Sequence, residues 1–304
     1  TDRHLVYSRV AHLTEVRDIH KQQGRGLCQN RTICERGCPF GAYFSANAST
    51  IPWAKRTGNL TIMPDSVVKS VIYDDTLKKA TGVEIIDTLT KETKVINAKI
   101  IFMNAGTLNT NLVLLNSKSS RFPNGLGNDN GLLGKYLTFH NYRARVTATY
   151  KGDKDTTYIG RKPAALYMPR FKNVKAAKET FKRGYAIYVS VDKGKYSSDA
   201  GVGQELAKNL DNLQYGDWNV YAMMMGETIP KATNYVSLHP DLKDPWGIPQ
   251  LAIDVDYDDN DLAMMDDFYQ ETIAMFEQAG LENITKIDTE QAPGLDIHEM
   301  GGVR

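Results

Sequence analysis

Apolar positions along the chain fall into two regimes. Between residues 59 and 104 they come as short β-branched runs separated by polar turns. Asn59–Tyr73, NLTIMPDSVVKSVIY, breaks at Pro64 and reads as two strand pieces, and Ala80–Asp87, ATGVEIID, as another strand. Lys94–Asn104, KVINAKIIFMN, is a third. Its closing run IIFM has the pattern of a strand covered on both faces, as in a parallel sheet. Ala105-Gly106-Thr107 follow, and then LNTNLVLLNS, which reads as a helix. Strand, small residues and helix in that order bring backbone N–H groups up to a phosphate or a ring. Many α/β folds share that order, so it does not single out a ligand.

Beyond Asn141 the pattern changes. Arg143–Tyr150, Tyr185–Val191, Trp218–Met225 and Leu251–Val255 read as strands separated by longer polar connections, which points to a largely antiparallel sheet. One strong helix is expected, Asp261–Gly280, with Leu262, Met265, Phe268, Ile273 and Phe276 on its apolar face and Gly280 as its stop. Its methionines, with Met223–Met225, read as core filler. Toward the N-terminus, Val6, Val10, Leu13 and Val16 follow a three-to-four spacing that predicts a helix within residues 1–23. Residues 46–57 read as a loop entering a short helix capped by Ser49 or Thr50. Residues 121–140, rich in Gly and Asn, read as a loop with a domain boundary near its end.

A length of 304 residues admits one large domain or two ordinary ones. Lys+Arg 37 against Asp+Glu 36 leaves a net charge of +1, which argues against a broad nucleic-acid footprint and gives no pull toward anionic lipid. No apolar run is long enough to span a bilayer. The first residues carry no secretory signal pattern and no initial Met, and the chain stops at HEMGGVR with no closing helix. Both ends look cut, and the chain is expected to be an internal piece of a longer polypeptide.

The densest chemistry lies in Gly24–Ser45, GRGLCQNRTICERGCPFGAYFS, which holds all three cysteines, Cys28, Cys34 and Cys38, in a C-x5-C-x3-C array. Three cysteines exclude a complete disulfide framework within one chain. Four readings stand side by side. A [3Fe–4S] cluster takes three thiolates, and Pro39 after the third cysteine matches the Cys-Pro ending of ferredoxin-type loops. A zinc site needs a fourth ligand, for which His20 or His12 is at hand. One disulfide plus a thiol suits an exported protein. Buried inert cysteines are the plain alternative. His4, His12 and His20 themselves read as exposed or locally bonded rather than as ligands.

Several stretches together resemble the GMC (glucose–methanol–choline) flavin oxidoreductases: NLTIMPDSVVKSVIYD with ATGVEIID; AKIIFMNAGTLNTNLVLLNS; GLGNDNGLLGKYLTFH; GETIPKATNYVSLHPDLKDPWGIPQ; and HEMGGVR. The resemblance covers nearly all of residues 24–304 and is greatest to bacterial sugar and glucoside dehydrogenases, some of which carry the same cysteine array as ligands of a [3Fe–4S] cluster. It implies FAD as cofactor, with Val68 beside the adenine and Ala105, Gly106 and Thr107 close to the cofactor. Plain alternatives for these positions are a core strand and a tight turn.

The resemblance makes His298, which opens an H-x-x-G-G motif, the catalytic base that takes the substrate hydroxyl proton. Imidazole titrates near neutral pH and suits that task. It puts His140 close to the domain junction, where it reads as structural, with lining the site as the lesser alternative; Glu227, in GETIP, reads as binding a sugar hydroxyl or capping a buried network. Tyr167, Tyr215, Trp218 and Tyr221 suit stacking on a sugar ring, although most aromatics in such sheets are core. The glycine-rich dinucleotide fingerprint and the closing Asn/His segment of the family are absent from this chain, which fits truncation.

The expected fold is α+β: residues 1–140 as part of an FAD-binding α/β domain with the cysteine loop 24–45, residues 141–290 as an antiparallel-sheet substrate domain backed by helices, and residues 291–304 returning to the FAD domain. The implied function is oxidation of a sugar or glucoside CH–OH group, with hydride to flavin. Electrons leave through the cluster to a cytochrome-type acceptor or a small partner subunit, in a bacterial periplasm. An oxidase using O₂ with structural cysteines and a non-catalytic carbohydrate-binding protein are the competing readings.

Overall fold

The computed structural model describes residues 3–31, 34, 37–154, 165–176, 179–196, 201–211, 214–295 and 297–303. The chain divides into two units that interleave in sequence. The first comprises Thr1–Thr61, Tyr142–Gly226 and Ala263–Glu290, and the second Ile62–Asn141, Glu227–Leu262 and Gln291–Arg304. Helices and antiparallel sheets together make the fold α+β.

The first unit is organised by one antiparallel sheet with neighbours in the order Val6–Tyr7, Leu166–Met168, Tyr185–Tyr196, Gln214–Glu227, Ala144–Tyr150, Glu282–Asp288. Alternate residues face one side, as the two-residue period of a strand requires. Ala144, Val146 and Ala148, then Tyr185, Ile187 and Val189, then Val220, Ala222 and Met224 form one buried layer. Met264, Met265, Phe268, Tyr269 and Phe276 of the helix Asp259–Gln278 cover it. Leu262, expected on that apolar face, is exposed. It sits in the first turn of the helix, before the stripe that meets the sheet begins. Met224 and Met264 are fully buried, in keeping with methionine as core filler.

Polar groups at the edge of this core are paired. The hydroxyl of buried Tyr185 donates to Asp267 Oδ1 at 2.5 Å, and Lys172 Nζ sits among Asp267, Glu271 and Glu179 at 3.0, 2.8 and 3.5 Å. The helix start is a capping box: the Asp261 N–H donates to Asp258 Oδ1 at 3.3 Å, and the Asp258 N–H donates to Asp261 Oδ2 at 3.0 Å. Asp261 is buried and its Oδ1 has no partner among the described residues.

Burial pushes the Asp261 carboxyl up to about 6, whereas Lys231 and the backbone N–H of Asp261 outweigh the effect of burial on Asp258 and hold it below the carboxylate range. A carboxyl raised above its unfolded value of roughly 4 holds extra protons in the folded state. Stability is therefore full below about pH 4 and falls as pH rises toward the folded value. Asp261→Asn keeps an acceptor for the Asp258 N–H and removes the titration. Its urea midpoint, set against wild type, is expected to improve between about pH 4 and 6, by on the order of 1–3 kcal/mol.

Two expectations for the N-terminal third are corrected. The helix proposed within residues 1–23 is confined to Asp18–Gln22. Val6 instead pairs with Tyr167 in the sheet, and His12 bridges to Tyr43. The three-to-four spacing of the valines was outweighed by partners distant in sequence. The short helix Thr50–Arg56 does begin after Ser49, but that hydroxyl donates to Ser45 O at 2.6 Å rather than capping the helix.

The second unit holds an antiparallel sheet of Ser66–Asp74, Lys79–Asp87 and Thr93–Asn97. Its hairpins are closed by aspartates: Asp74 Oδ1 accepts from the N–H groups of Thr76 and Leu77, and Asp87 Oδ1 from those of Leu89 and Thr90. One strand, not two, forms from Asn59–Tyr73, beginning at Ser66 beyond Pro64. The expected strand Lys94–Asn104 ends at Asn97 and is antiparallel. Ile100 and Phe102 of its apolar run are 72% and 79% exposed, so no second face covers them among the described residues.

The helix Gly106–Asn116 follows. One hydroxyl ties its end to the sheet: Ser117 Oγ donates to Val113 O and accepts from the N–H of Val71 at 2.7 Å. A hairpin of Tyr235–Lys243 and Pro249–Asp254 completes this unit's strands. The strand Tyr235–Lys243, interrupted by Pro240, together with the strands Glu282–Asp288 and Leu166–Met168 and the helix Gln204–Asp211, has an alternation or length too weak to read from sequence.

Candidate functional site

Two constellations carry chemistry, one in each unit. In the first unit, the segment 11–13 lies between two passes of the cysteine stretch. The N–H of Leu13 donates to Ala42 O at 2.9 Å, that of Cys28 to Leu13 O at 3.0 Å, that of Phe44 to Ala11 O at 2.9 Å and that of Gly26 to Phe40 O at 2.7 Å. Buried Arg25 clamps the loop from within, its Nε donating to Gly41 O at 2.8 Å and its guanidinium lying 5.6 Å from the Phe44 ring centre. The resulting cavity, about 30 Å³, is lined by all three cysteines together with His12, Pro39 and Tyr43.

None of the three cysteines forms a disulfide. His12 Nε2 lies 3.2 Å from Cys34 Sγ. Burial pushes the Cys38 thiol up, but the backbone N–H groups of Tyr43, Phe40 and Ala42 and the charge of Arg31 more than offset it, so the thiol is held below its ordinary value. A sulfur that accepts several N–H groups is suited to the thiolate state. Among the described residues, no three His, Cys, Asp or Glu side chains are placed to hold one metal ion. His20, the other histidine near the cysteines in sequence, is locally bonded: its Nδ1 accepts from the Arg17 N–H at 3.1 Å. His4 is exposed.

In the second unit, the segment 298–302 is laid against two other stretches. Met300 and Thr138 exchange N–H···O bonds of 2.8 and 2.9 Å, and Gly302 bonds back to Gly134 and Lys135. Thr107 Oγ1 donates to Glu299 O at 2.5 Å across 192 residues of sequence. Asn111, fully buried, donates to Thr107 O at 2.9 Å and to Gly301 O at 3.5 Å. The start of helix Gly106–Asn116 and the histidine segment are therefore one assembly. Ala105 caps the helix without a side-chain hydrogen bond, which leaves the first-turn N–H groups for other partners.

Glycine is required at both ends of that contact. A Cβ on Gly301 would stand 2.2 Å from Tyr136 O, and one on Gly302 2.3 Å from Asn111 Nδ2, with φ of +91° and +75°. Gly302→Ala is expected to destabilise the protein by roughly 1–3 kcal/mol, read as a lower urea midpoint.

His298 itself is exposed, at φ +70°, and stands edge-on to His140 with ring centres 5.1 Å apart. His140 was expected to be structural near a domain junction; its ring now stands beside that of the candidate base. An adjacent cavity of about 270 Å³ is lined by Leu108, Leu137, Phe139, Ile253, Leu295 and Glu299 among others. Val68 lies on Ser66–Asp74, the outer strand of its sheet, beside a register shift between Val68 and Ser70. Its backbone is thus at a sheet edge.

The aromatic residues are less concentrated than expected. Lys193 Nζ lies over Trp218 and Tyr215 at 5.0 and 5.6 Å, and the Arg145 guanidinium over Tyr221 at 5.8 Å. Tyr167 pairs through its backbone with Val6 and Tyr188. Cations already occupy ring faces at three of the four positions, so these rings do not form a ready stacking platform. Glu227 is the last residue of the strand Gln214–Glu227, next to Thr228, whose hydroxyl donates to Phe139 O at 2.8 Å and accepts from the Phe139 N–H.

Comparison with known proteins is consistent with this picture. Residues 13–142 match the family model described as GMC oxidoreductase. The chain is 31% identical over 193 residues to a 2-methyl-1,2-propanediol dehydrogenase of Mycolicibacterium austroafricanum, covering 61% of this chain and 34% of that protein. It is 23% identical over 251 residues to the fructose dehydrogenase large subunit of Gluconobacter japonicus, covering 80% of this chain and 44% of that protein. The chain thus spans less than half the length of either relative. The matched segment contains the cysteine loop, the start of helix Gly106–Asn116 and His140, and over it the chain is similar to the GMC oxidoreductases.

Proposed function

We propose that the chain is the catalytic part of an FAD-dependent dehydrogenase that oxidises a CH–OH group of a sugar or glucoside. The observation that carries this reading is the assembly of His298–Gly302 on the start of the helix Gly106–Asn116, within the same unit as Val68. The residues fit the cofactor. Small side chains at 105–107, uncapped N–H groups and two glycines without room for a Cβ form a backbone-lined approach for a phosphate or a ring. Bound there, FAD would supply the hydride acceptor.

The chain's own residues would do the rest. The exposed His298 imidazole takes the substrate hydroxyl proton at a ring nitrogen, and His140 beside it restricts the ring's orientation. The backbone at Val68 offers an unpaired strand edge to a base. Residues 1–140 with 291–304 serve the cofactor in this reading, and residues 141–290 serve the substrate.

Cys28, Cys34 and Cys38 are assigned to a [3Fe–4S] cluster. This rests on three thiols lining one cavity and on the N–H groups directed at Cys38. The cavity is about 30 Å³, and no three of the described side chains are placed to hold one metal ion, so the described geometry does not itself accommodate a cluster. Bound by these thiolates, the cluster would supply one-electron transfer to an external acceptor, a cytochrome or a small partner subunit. The name of the fructose dehydrogenase relative, a large subunit, fits an enzyme with further subunits. No described helix is long and apolar enough to cross a membrane. A bacterial periplasmic location belongs to the same proposal.

Anaerobic purification of the product of the complete gene tests the reading. Bound FAD, iron and acid-labile sulfide are expected together. Stoichiometric zinc without iron would remove the cluster, and substrate-dependent peroxide formation unchanged by Cys34→Ser would select an oxidase instead.

A further inference from the structure

His298 has a backbone conformation that its surroundings must maintain. Its φ of +70° lies in the left-handed region, uncommon for a residue that carries a Cβ. Such a residue persists where the neighbouring structure over-determines it. Its anchors lie on the C-terminal side. Glu299 O accepts from Thr107 Oγ1 at 2.5 Å, and the Met300 N–H donates to Thr138 O at 2.8 Å. These two bonds hold the two ends of one peptide group, the one joining Glu299 to Met300. Among the described residues it is the anchored group nearest to His298 along this segment. The imidazole is exposed and stands beside the His140 ring, so its direction follows from the backbone that carries it.

Thr107 is built to be one of those two anchors. It is the second residue of the helix Gly106–Asn116, and its own O accepts from the Nδ2 of fully buried Asn111 at 2.9 Å. A β-branched side chain in a helix has few χ1 choices, so the helix sets where the hydroxyl points. A carbonyl oxygen only accepts, which makes the threonine hydroxyl the donor. The same residue belongs to the helix start that the proposed function gives to the cofactor. One side chain thus ties that helix start to the residue next to the proposed base, across 192 residues of sequence.

We infer that Thr107 is a positioning residue whose hydroxyl, by holding Glu299 O, keeps His298 in its left-handed conformation and aims the imidazole. The inference rests on the reading of His298 as the base. Without the hydroxyl, the peptide group after Glu299 keeps only its bond through the Met300 N–H. It can then tilt about that bond, and the tilt carries His298 with it, away from His140. A displacement of about 1 Å at a reacting group can lower a rate on the order of 10²-fold.

Thr107→Val keeps the branched shape and removes the donor, while Thr107→Ser keeps the donor. Holoprotein from the complete gene, labelled at the histidine rings, is compared in these three forms by two measurements. The first needs no substrate: the nuclear Overhauser effect between the His298 and His140 ring protons, which are assigned from the spectra of His298→Ala and His140→Ala. The second is the limiting rate of flavin reduction, with D-glucose or methyl α-D-glucoside, whichever reduces the wild-type flavin faster. In Thr107→Val the ring contact is expected to be lost and the limiting rate to fall about 10²-fold, with the substrate dissociation constant little changed. Thr107→Ser is expected to recover both.

A Thr107→Val protein with the ring contact intact overturns the inference, whatever its rate. So does a loss confined to substrate affinity, or a Thr107→Ser protein that recovers neither reading. These outcomes leave His298 as the base, whereas normal flavin reduction in His298→Ala defeats that assignment itself. If neither sugar reduces the wild-type flavin, the sugar reading of the site fails and the ring contact alone decides for Thr107. Should Thr107→Val not fold, Thr107→Ala is set against Thr107→Ser in the same measurements. Loss in the alanine variant alone supports the inference, and equal behaviour of the two overturns it.

Discussion

Replacing His298 with alanine is expected to slow the reduction of bound FAD by sugar by about 10²–10⁴-fold, with FAD still bound. The side chain is exposed, so its removal leaves no cavity, and its neighbours are held by the backbone rather than by the imidazole. Met300 and Thr138 remain paired, Gly302 remains bonded to Lys135, and Thr107 still donates to Glu299. A purely structural histidine would act through stability and would move the unfolding midpoint along with the rate. A base moves the rate alone. Stopped-flow flavin bleaching beside a flavin-content assay separates the two, and normal reduction in the variant removes His298 from the mechanism. In the same assay His140→Ala is expected to have a smaller effect, because in this reading that ring orients His298, which it meets edge-on.

Cys34→Ser carries the second large expected effect. A serine hydroxyl does not ionise near neutral pH, so it is a poor ligand for iron. Iron and sulfide should fall to near zero, and transfer to a one-electron acceptor such as a cytochrome should be lost. Reduction of flavin by substrate should persist, because His298 and the helix start at Gly106 belong to the other unit of the chain. Loss of both half-reactions would mean that the cysteine loop is required to fold the protein. Full retention of acceptor turnover would take the cysteines out of the electron path.

The parts that were legible in sequence and those that were not differ in how local their causes are. Strands at 144–150 and 185–191 could be read because alternate residues face one buried layer, and that alternation is written locally. The helix Asp259–Gln278 could be read from its apolar stripe, and Leu262 was misplaced only because a period does not say where a stripe meets its partner. The IIFM run was misread because apolar character alone was taken as evidence of cover, whereas Ile100 and Phe102 are exposed. Val6 was misread as helical because a three-to-four spacing in a short polar segment is weak beside the pairing of Val6 with Tyr167 and Tyr7 with Leu166.

For the candidate site the same division holds. By itself the sequence determined the chemistry on offer: three thiols at C-x5-C-x3-C spacing, a histidine followed by two glycines, and small residues at a helix start. Each of these is a local property of residue type and spacing. Tertiary structure alone decided which of them meet. It joined Thr107 to Glu299 and Asn111 to Gly301, because two glycines without Cβ atoms let one backbone close on another. It placed His140 beside His298, and it turned His12 from a bystander into the neighbour of Cys34. Contacts of this kind come from hydrogen bonds and close packing between distant segments, and no periodicity along the chain encodes them.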